Sequence, residues 1–207
     1  MDMNYENNYI RLCGTMAGRP AFSHSGRGID FYSFPLEIER LSGNTDTVNI
    51  VVRLEQLSEL ETADSEKLCV TGQLRTFNNR GGEGAKLVIT VLAKELYFTD
   101  EPDENLVMLN GTLCKEPNLR ITPMGREICD LMLAVNRRYG RSDYIPCICW
   151  GLKAREAERW GVGTNVKLEG RLQSRRYIKV TENGAAERTA FEVSVTGIAE
   201  TDAENGI

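Results

Sequence analysis

The 207-residue sequence has one histidine, His24, and no cysteine pair spaced CxxC. Both absences remove the usual zinc spacings, so no metal is expected. It also lacks a glycine-rich loop closing on Lys-Ser/Thr, the common cradle for nucleotide phosphates. No nucleophile has a base to work with beyond His24, so neither catalysis nor a cofactor is expected. No uncharged apolar run approaches the roughly 18 residues of a membrane helix. The opening MDMNYENNYI carries acids where a secretory leader has basic and then apolar residues. The expected setting is the cytoplasm, without membrane contact. There the six cysteines should remain reduced thiols, with Cys147 and Cys149 as small core residues on one face of a strand.

Hydrophobic residues make up 41% and charged residues 27%, enough of both for a folded, core-containing chain. The net charge of −5 is unevenly divided. Residues 1–104 hold 10 Lys+Arg against 17 Asp+Glu, whereas residues 105–198 hold 15 against 10. The second half is basic, and a polyanion would be drawn there.

The same division appears as an internal repeat. NYIRLCGTMAGRP (8–20) and NLVMLNGTLCKEP (105–117) align at an offset of 97, placing Asn8, Leu12, Gly14, Thr15 and Pro20 on identical residues. The register continues through Gly28 on Gly125, Leu36 on Leu133, Arg40 on Arg137 and Asp46 on Asp143. It slips to 98 where VTGQL pairs with LEGRL. A unit of about 95 residues has therefore been duplicated. The expected boundaries are residues 1–98 and 105–198 for the two domains, 99–104 for an acidic linker and 199–207 for a short acidic tail.

Each copy reads as strands. YIRLCGTM and LVMLNGTL alternate in hydropathy around a glycine that marks a bend. FYSFPLEIER and ICDLMLAVNRR supply a second strand, and NIVVRL and YIPCICW a third. A short helical stretch follows, clearest in GLKAREAERWGVG, where Trp160 is expected to cap the barrel bottom. EKLCVTGQLRT and TNVKLEGRLQSRRYIKV make a long fourth strand; LVITVLAKELYF and TAFEVSVTGIAE make the fifth. The fold class is all-β with one short helix per domain: two tandem five-stranded OB-fold barrels.

The second copy resembles the bacterial single-stranded DNA-binding protein family. The resemblance is carried by LNGTLCKEPNLRITPMGREICDLMLAVNRRYG, YIPCICWGLKAREAE and GTNVKLEGRLQSRRYIKVTENG, in that order. The first copy is similar mainly through GTMAGRP, FYSFPLEI and VTGQLRT. This resemblance implies OB folds that bind single-stranded DNA without sequence preference, with no catalysis and no cofactor. It places stacking aromatics near Tyr139, Tyr144, Trp150 and Tyr177.

Strand parity points the same way. Tyr144, Pro146, Ile148 and Trp150 share one face, opposite Ile145, Cys147 and Cys149. Lys167, Glu169, Arg171, Gln173, Arg175 and Tyr177 share the face opposite Val166, Leu168 and Leu172. A general single-strand binder needs aromatic platforms beside cations, and this arrangement supplies them. Arg137, Arg138, Arg171, Arg175 and Arg176 are the expected backbone contacts. In the first copy Thr47, Arg53 and Ser42 stand at the places of Tyr144, Trp150 and Tyr139. Phe77 is its one candidate platform, and His24 reads as a solvated loop residue.

The expected function is non-specific single-stranded DNA binding in replication, recombination or repair, in a nucleoid-associated, cytoplasmic protein. Two alternatives stay open: a primosome-like OB-fold module that binds other proteins, and a single-stranded RNA binder. Two barrels per chain suit a homodimer with four OB folds or a monomer. Replication or repair proteins are possible partners, although the tail lacks the spacer seen in many family members.

Overall fold

A computed structural model describes residues 7–61, 66–79, 87–137, 140–181 and 184–201. The chain divides into two compact units. The first is Tyr9–Leu106; the second takes Val107 onward together with the described start of the chain, where the Asn110 amide donates to the Asn7 carbonyl (2.8 Å).

In the first unit the strands are β1 (Asn8–Met16), β2 (Ala21–Gly26), β3 (Ile29–Glu39), β4 (Thr45–Arg53), β5 (Lys67–Asn78) and β6 (Leu87–Phe98). Helix α1 (Leu54–Glu61) lies between β4 and β5. The strands run in the order β2-β3-β4-β6-β5-β1, and an additional β3–β1 pairing closes five of them into a barrel. All these pairs are antiparallel except β4–β6. The second unit repeats the plan with β7 (Glu104–Leu113), β8 (Asn118–Ile121), β9 (Glu127–Asn136), β10 (Ser142–Trp150), α2 (Leu152–Ala157), β11 (Asn165–Thr181) and β12 (Gly184–Glu200). Its order is β7-β11-β12-β10-β9-β8, closed by β7–β9. The five barrel strands and the helix of each copy fall where the hydropathy pattern puts them. The sixth strand, β2 or β8, is an edge strand that hairpins onto the next. It escapes the pattern because it covers no core: β2 is exposed along almost its whole length.

Alternation fills the barrels. Ile10, Leu12, Leu36, Val48, Ile50, Leu68, Val70 and Val91 are fully buried in the first, as are Leu133, Ile145, Val166, Leu172 and Val193 in the second. The strand glycines are set by close approach. A Cβ on Gly111 would lie 2.5 Å from the Ala134 carbonyl oxygen, and one on Gly170 would strike that of Ser194. Gly170 also sits at a register shift in the β11–β12 ladder, so the long strand bends there and closes the barrel.

Two findings depart from the sequence reading. Cys13 and Cys69 are directly opposite each other on β1 and β5, 4.1 Å apart at Cα, and form a disulfide. The expectation of six reduced thiols is corrected here, because strand pairing brings together two cysteines 56 residues apart. Cys147 and Cys149 are buried, as expected. The acidic connector, for its part, is pinned to the first unit. Arg11 pairs with Glu101 (2.6 Å) and Glu104, Lys67 pairs with Asp103 (2.9 Å), and the Glu39 amide donates to Asp103 (2.7 Å). Much of the acidity in this stretch is thus neutralised within the first unit.

Candidate nucleic-acid interface

In the second unit β11 and β10 flank β12. On β10 the inward set Ile145, Cys147 and Cys149 is buried, while Tyr144 is 51% and Trp150 37% exposed on the opposite face. Burial pushes the Cys149 thiol up to about 12 and Cys147 well above its ordinary value, so both remain protonated core groups. Ile148 shares the outer parity but is buried, and half-buried Pro146 lies between it and Tyr144. Six residues of strand separate Tyr144 from Trp150, about 20 Å at the usual rise.

On β11, Arg171 and Arg175 are exposed, with Gln173 between them. Arg171 faces Ser194 of β12, and Ser194 faces Ile148 of β10, so one row crosses all three strands. β12 contributes Ser194 and Glu192, both nearly buried. Gln173 donates to Glu192 (2.9 Å), and Arg175 stands 3.9 Å from the same carboxylate. The outer surface therefore has arginines on one strand, rings on another, and a low polar strand between.

The remaining sequence candidates divide. Arg137 has its guanidinium bound by Asp143: Nε donates to Oδ2 at 2.6 Å and a second nitrogen donates to Oδ1. Asp143 is fully buried, so this arginine has a structural partner in the turn between β9 and β10. The first unit repeats the arrangement in Arg40 and Asp46. Arg138 and Tyr139 lie outside the described residues. Arg176 and Tyr177 continue β11 opposite Thr189 and Arg188, but their side chains lie outside the described set. Phe77 is 53% exposed, on the outer face of β5 beside Arg75. Trp160, the expected cap of the barrel bottom, is half-buried after α2.

A cluster that the sequence pattern does not reveal lies on the β2–β3 hairpin of the first unit. His24 stacks on Phe31 with ring centroids 4.8 Å apart and an interplanar angle of 12°. Phe31 is in turn the cross-strand partner of Arg53 on β4. On the other face of the hairpin Phe22 meets Tyr32 edge-on at 5.9 Å. The one legible signal is four rings in AFSHSGRGIDFY, spread about a two-residue turn.

This geometry belongs to a class of small β-barrels whose open face carries rings and cations. Residues 104–199 match the profile of the Single-strand binding protein family. That match falls on the second unit, and the family's name is that of binding proteins. The chain is 36% identical over 80 residues to single-stranded DNA-binding protein 2 of Listeria innocua, covering 35% of this chain and 50% of that one. Single-stranded DNA-binding protein A of Bacillus subtilis is 33% identical over 110 residues, covering 49% and 62%. The chain thus spans about half to three-fifths of the length of these relatives. The crystal structure of the wild-type single-stranded DNA binding protein from Thermus aquaticus superposes with a TM-score of 0.76 at 20% identity, covering 97% of this chain and 95% of that one. The tandem OB architecture is therefore a known fold.

Proposed function

We propose that the chain binds single-stranded DNA without sequence preference, chiefly through its second unit, in replication, recombination or repair. The observation that carries this reading is the outer face of that barrel, with Tyr144 and Trp150 on β10 and Arg171 and Arg175 on β11. Rings stack on bases of any identity, and guanidinium groups follow the phosphates. Tyr139, Tyr177, Arg138 and Arg176 are proposed as further contacts on the family resemblance and the clustering of cations in the sequence. The names of the Listeria and Bacillus relatives support the choice of ligand.

Titration with oligo-dT of increasing length, at low and high salt, tests this through tryptophan fluorescence. Trp150 and Trp160 are the only tryptophans, and both lie in the second unit. The expected outcome is quenching that saturates, tightens with length and weakens with salt. Neither quenching nor retention of the oligonucleotide would overturn the proposal and favour a protein-binding module.

A further inference from the structure

The two barrels carry the same three-strand row with different occupants. In the second unit Arg120 of β8 faces Ile128 of β9, which faces Trp150 of β10. In the first, His24 of β2 faces Phe31 of β3, which faces Arg53 of β4. A ring and a cation stand at the two ends of the row in the second unit. In the first unit the cation has taken the ring's place on β4, and the rings have moved to the hairpin. We infer that the first unit has its own base-stacking station for single-stranded DNA, built from His24 and Phe31 with Arg53 as the phosphate contact.

The hairpin is shaped to present these rings. Ser23 is the extra residue of a β-bulge: Phe22 pairs with Tyr32, but His24 pairs with Phe31. Without the bulge His24 would face Asp30 on the other side of the ribbon; with it, the imidazole lies flat over the Phe31 ring. Nothing about holding the hairpin requires this. Its strands are already joined by the ladder, by the Phe22–Tyr32 contact on the opposite face and by the Ser25 hydroxyl donating to Asp30 (2.5 Å). The turn between them places Arg27 and Gly28 at positive φ, as a tight two-residue hairpin turn requires.

Charge selects the occupant. Arg19, Arg27 and Arg53 are exposed around the hairpin, and none makes an ion pair among the described residues. Asp30, the nearest acid in the hairpin, points to the other face and accepts from Ser25. An exposed imidazole lying on a half-buried phenyl ring, beside guanidinium groups that make no ion pair among the described residues and on a unit that is acidic overall, fits a strand offering both a flat base and a phosphate. An apolar partner would leave the three arginines without counter-charge.

The inference rests on the proposal that the chain binds single-stranded DNA, and the test separates the two. Full-length wild type, Phe31→Leu and Arg53→Gln are titrated with a dT oligomer of about eight nucleotides, within reach of one OB fold, and with one several times longer. Tryptophan quenching by the short oligomer reports the second unit alone. Both variants should match wild type there, yet bind the long oligomer roughly five- to a hundredfold more weakly, with a smaller occluded length. Crosslinking of a long 5-iodo-deoxyuridine oligomer should give adducts on His24 or Phe31. Wild-type long-oligomer affinity in both variants, or adducts confined to the second unit, would overturn the inference. Absent short-oligomer quenching with persistent hairpin adducts would instead overturn the assignment of binding to the second unit.

Discussion

Asp143 is fully buried and gives both carboxylate oxygens to the guanidinium of Arg137, six residues before it. The same bidentate pair joins Asp46 to Arg40 in the other barrel. Both pairs bridge the ends of the turn joining the second and third barrel strands. There the backbone is closed by Arg137 N–H to the Arg141 carbonyl and Arg40 N–H to that of Asn44. Duplication has kept this structural device in both barrels.

Asp143→Ala should therefore cost about 3–5 kcal/mol, since it strands a partly buried guanidinium. Urea unfolding followed by circular dichroism checks this. Arg137→Ala should show a comparable loss of stability, while the protein that remains folded keeps its oligo-dT affinity at matched salt.

Trp150→Ala should weaken oligo-dT binding by about 1–3 kcal/mol, and Trp160→Phe should leave it unchanged. Arg171→Ala with Arg175→Ala should lower the slope of log affinity against log salt by about 0.7 for each phosphate that is no longer neutralised. Titrations at several salt concentrations separate these two effects.

Gly170→Ala places a methyl group against the Ser194 carbonyl oxygen, on backbone that cannot give way without opening the β11–β12 ladder. The expected destabilisation is about 1–3 kcal/mol, the usual range for overpacking. Gly125→Ala, in an open loop at positive φ, should cost about 1 kcal/mol from backbone strain alone. Thermal unfolding of the two variants ranks them.

Cysteine chemistry should sort by burial. Burial raises Cys129 to about 11 and Cys149 to about 12, so at pH 8 these thiols should resist alkylation in the native protein. Cys114, only half-buried, should react first. The Cys13–Cys69 bridge should resist iodoacetamide until reductant is added. Its removal as Cys13→Ser with Cys69→Ser should lower stability by up to about 4 kcal/mol on the loop-closure estimate. Peptide mapping and thermal melts read both.

Low pH should loosen α2 from β9. The Arg155 guanidinium holds the Glu127 carboxyl below its ordinary value, through contacts of 2.6 and 3.0 Å. A carboxyl lowered on folding contributes stability above its unfolded value and loses it as pH falls through the lowered one. Glu127→Gln should therefore lower the neutral plateau slightly and flatten the acid limb of the stability profile below about pH 4.5. Thermal melts across that pH range check this.

Much of the fold and site is legible in sequence because strands have a period of two. Parity alone separates Ile145, Cys147 and Cys149 from Tyr144 and Trp150, and Leu168 and Leu172 from Arg171 and Arg175. The duplication is legible because glycines, prolines and buried ion-pair residues recur at constant spacing. Arg137 reads in sequence as a surface cation because its carboxylate sits on the next strand, where sequence shows two charges but not their bonding. The Cys13–Cys69 bridge, the engagement of Glu101, Asp103 and Glu104 by Arg11 and Lys67, and the His24–Phe31–Arg53 row all depend on which residues face each other across strands. Alternation in one strand determines which way a side chain points. Only the register between strands, set here by barrel closure and a bulge at Ser23, decides what it meets.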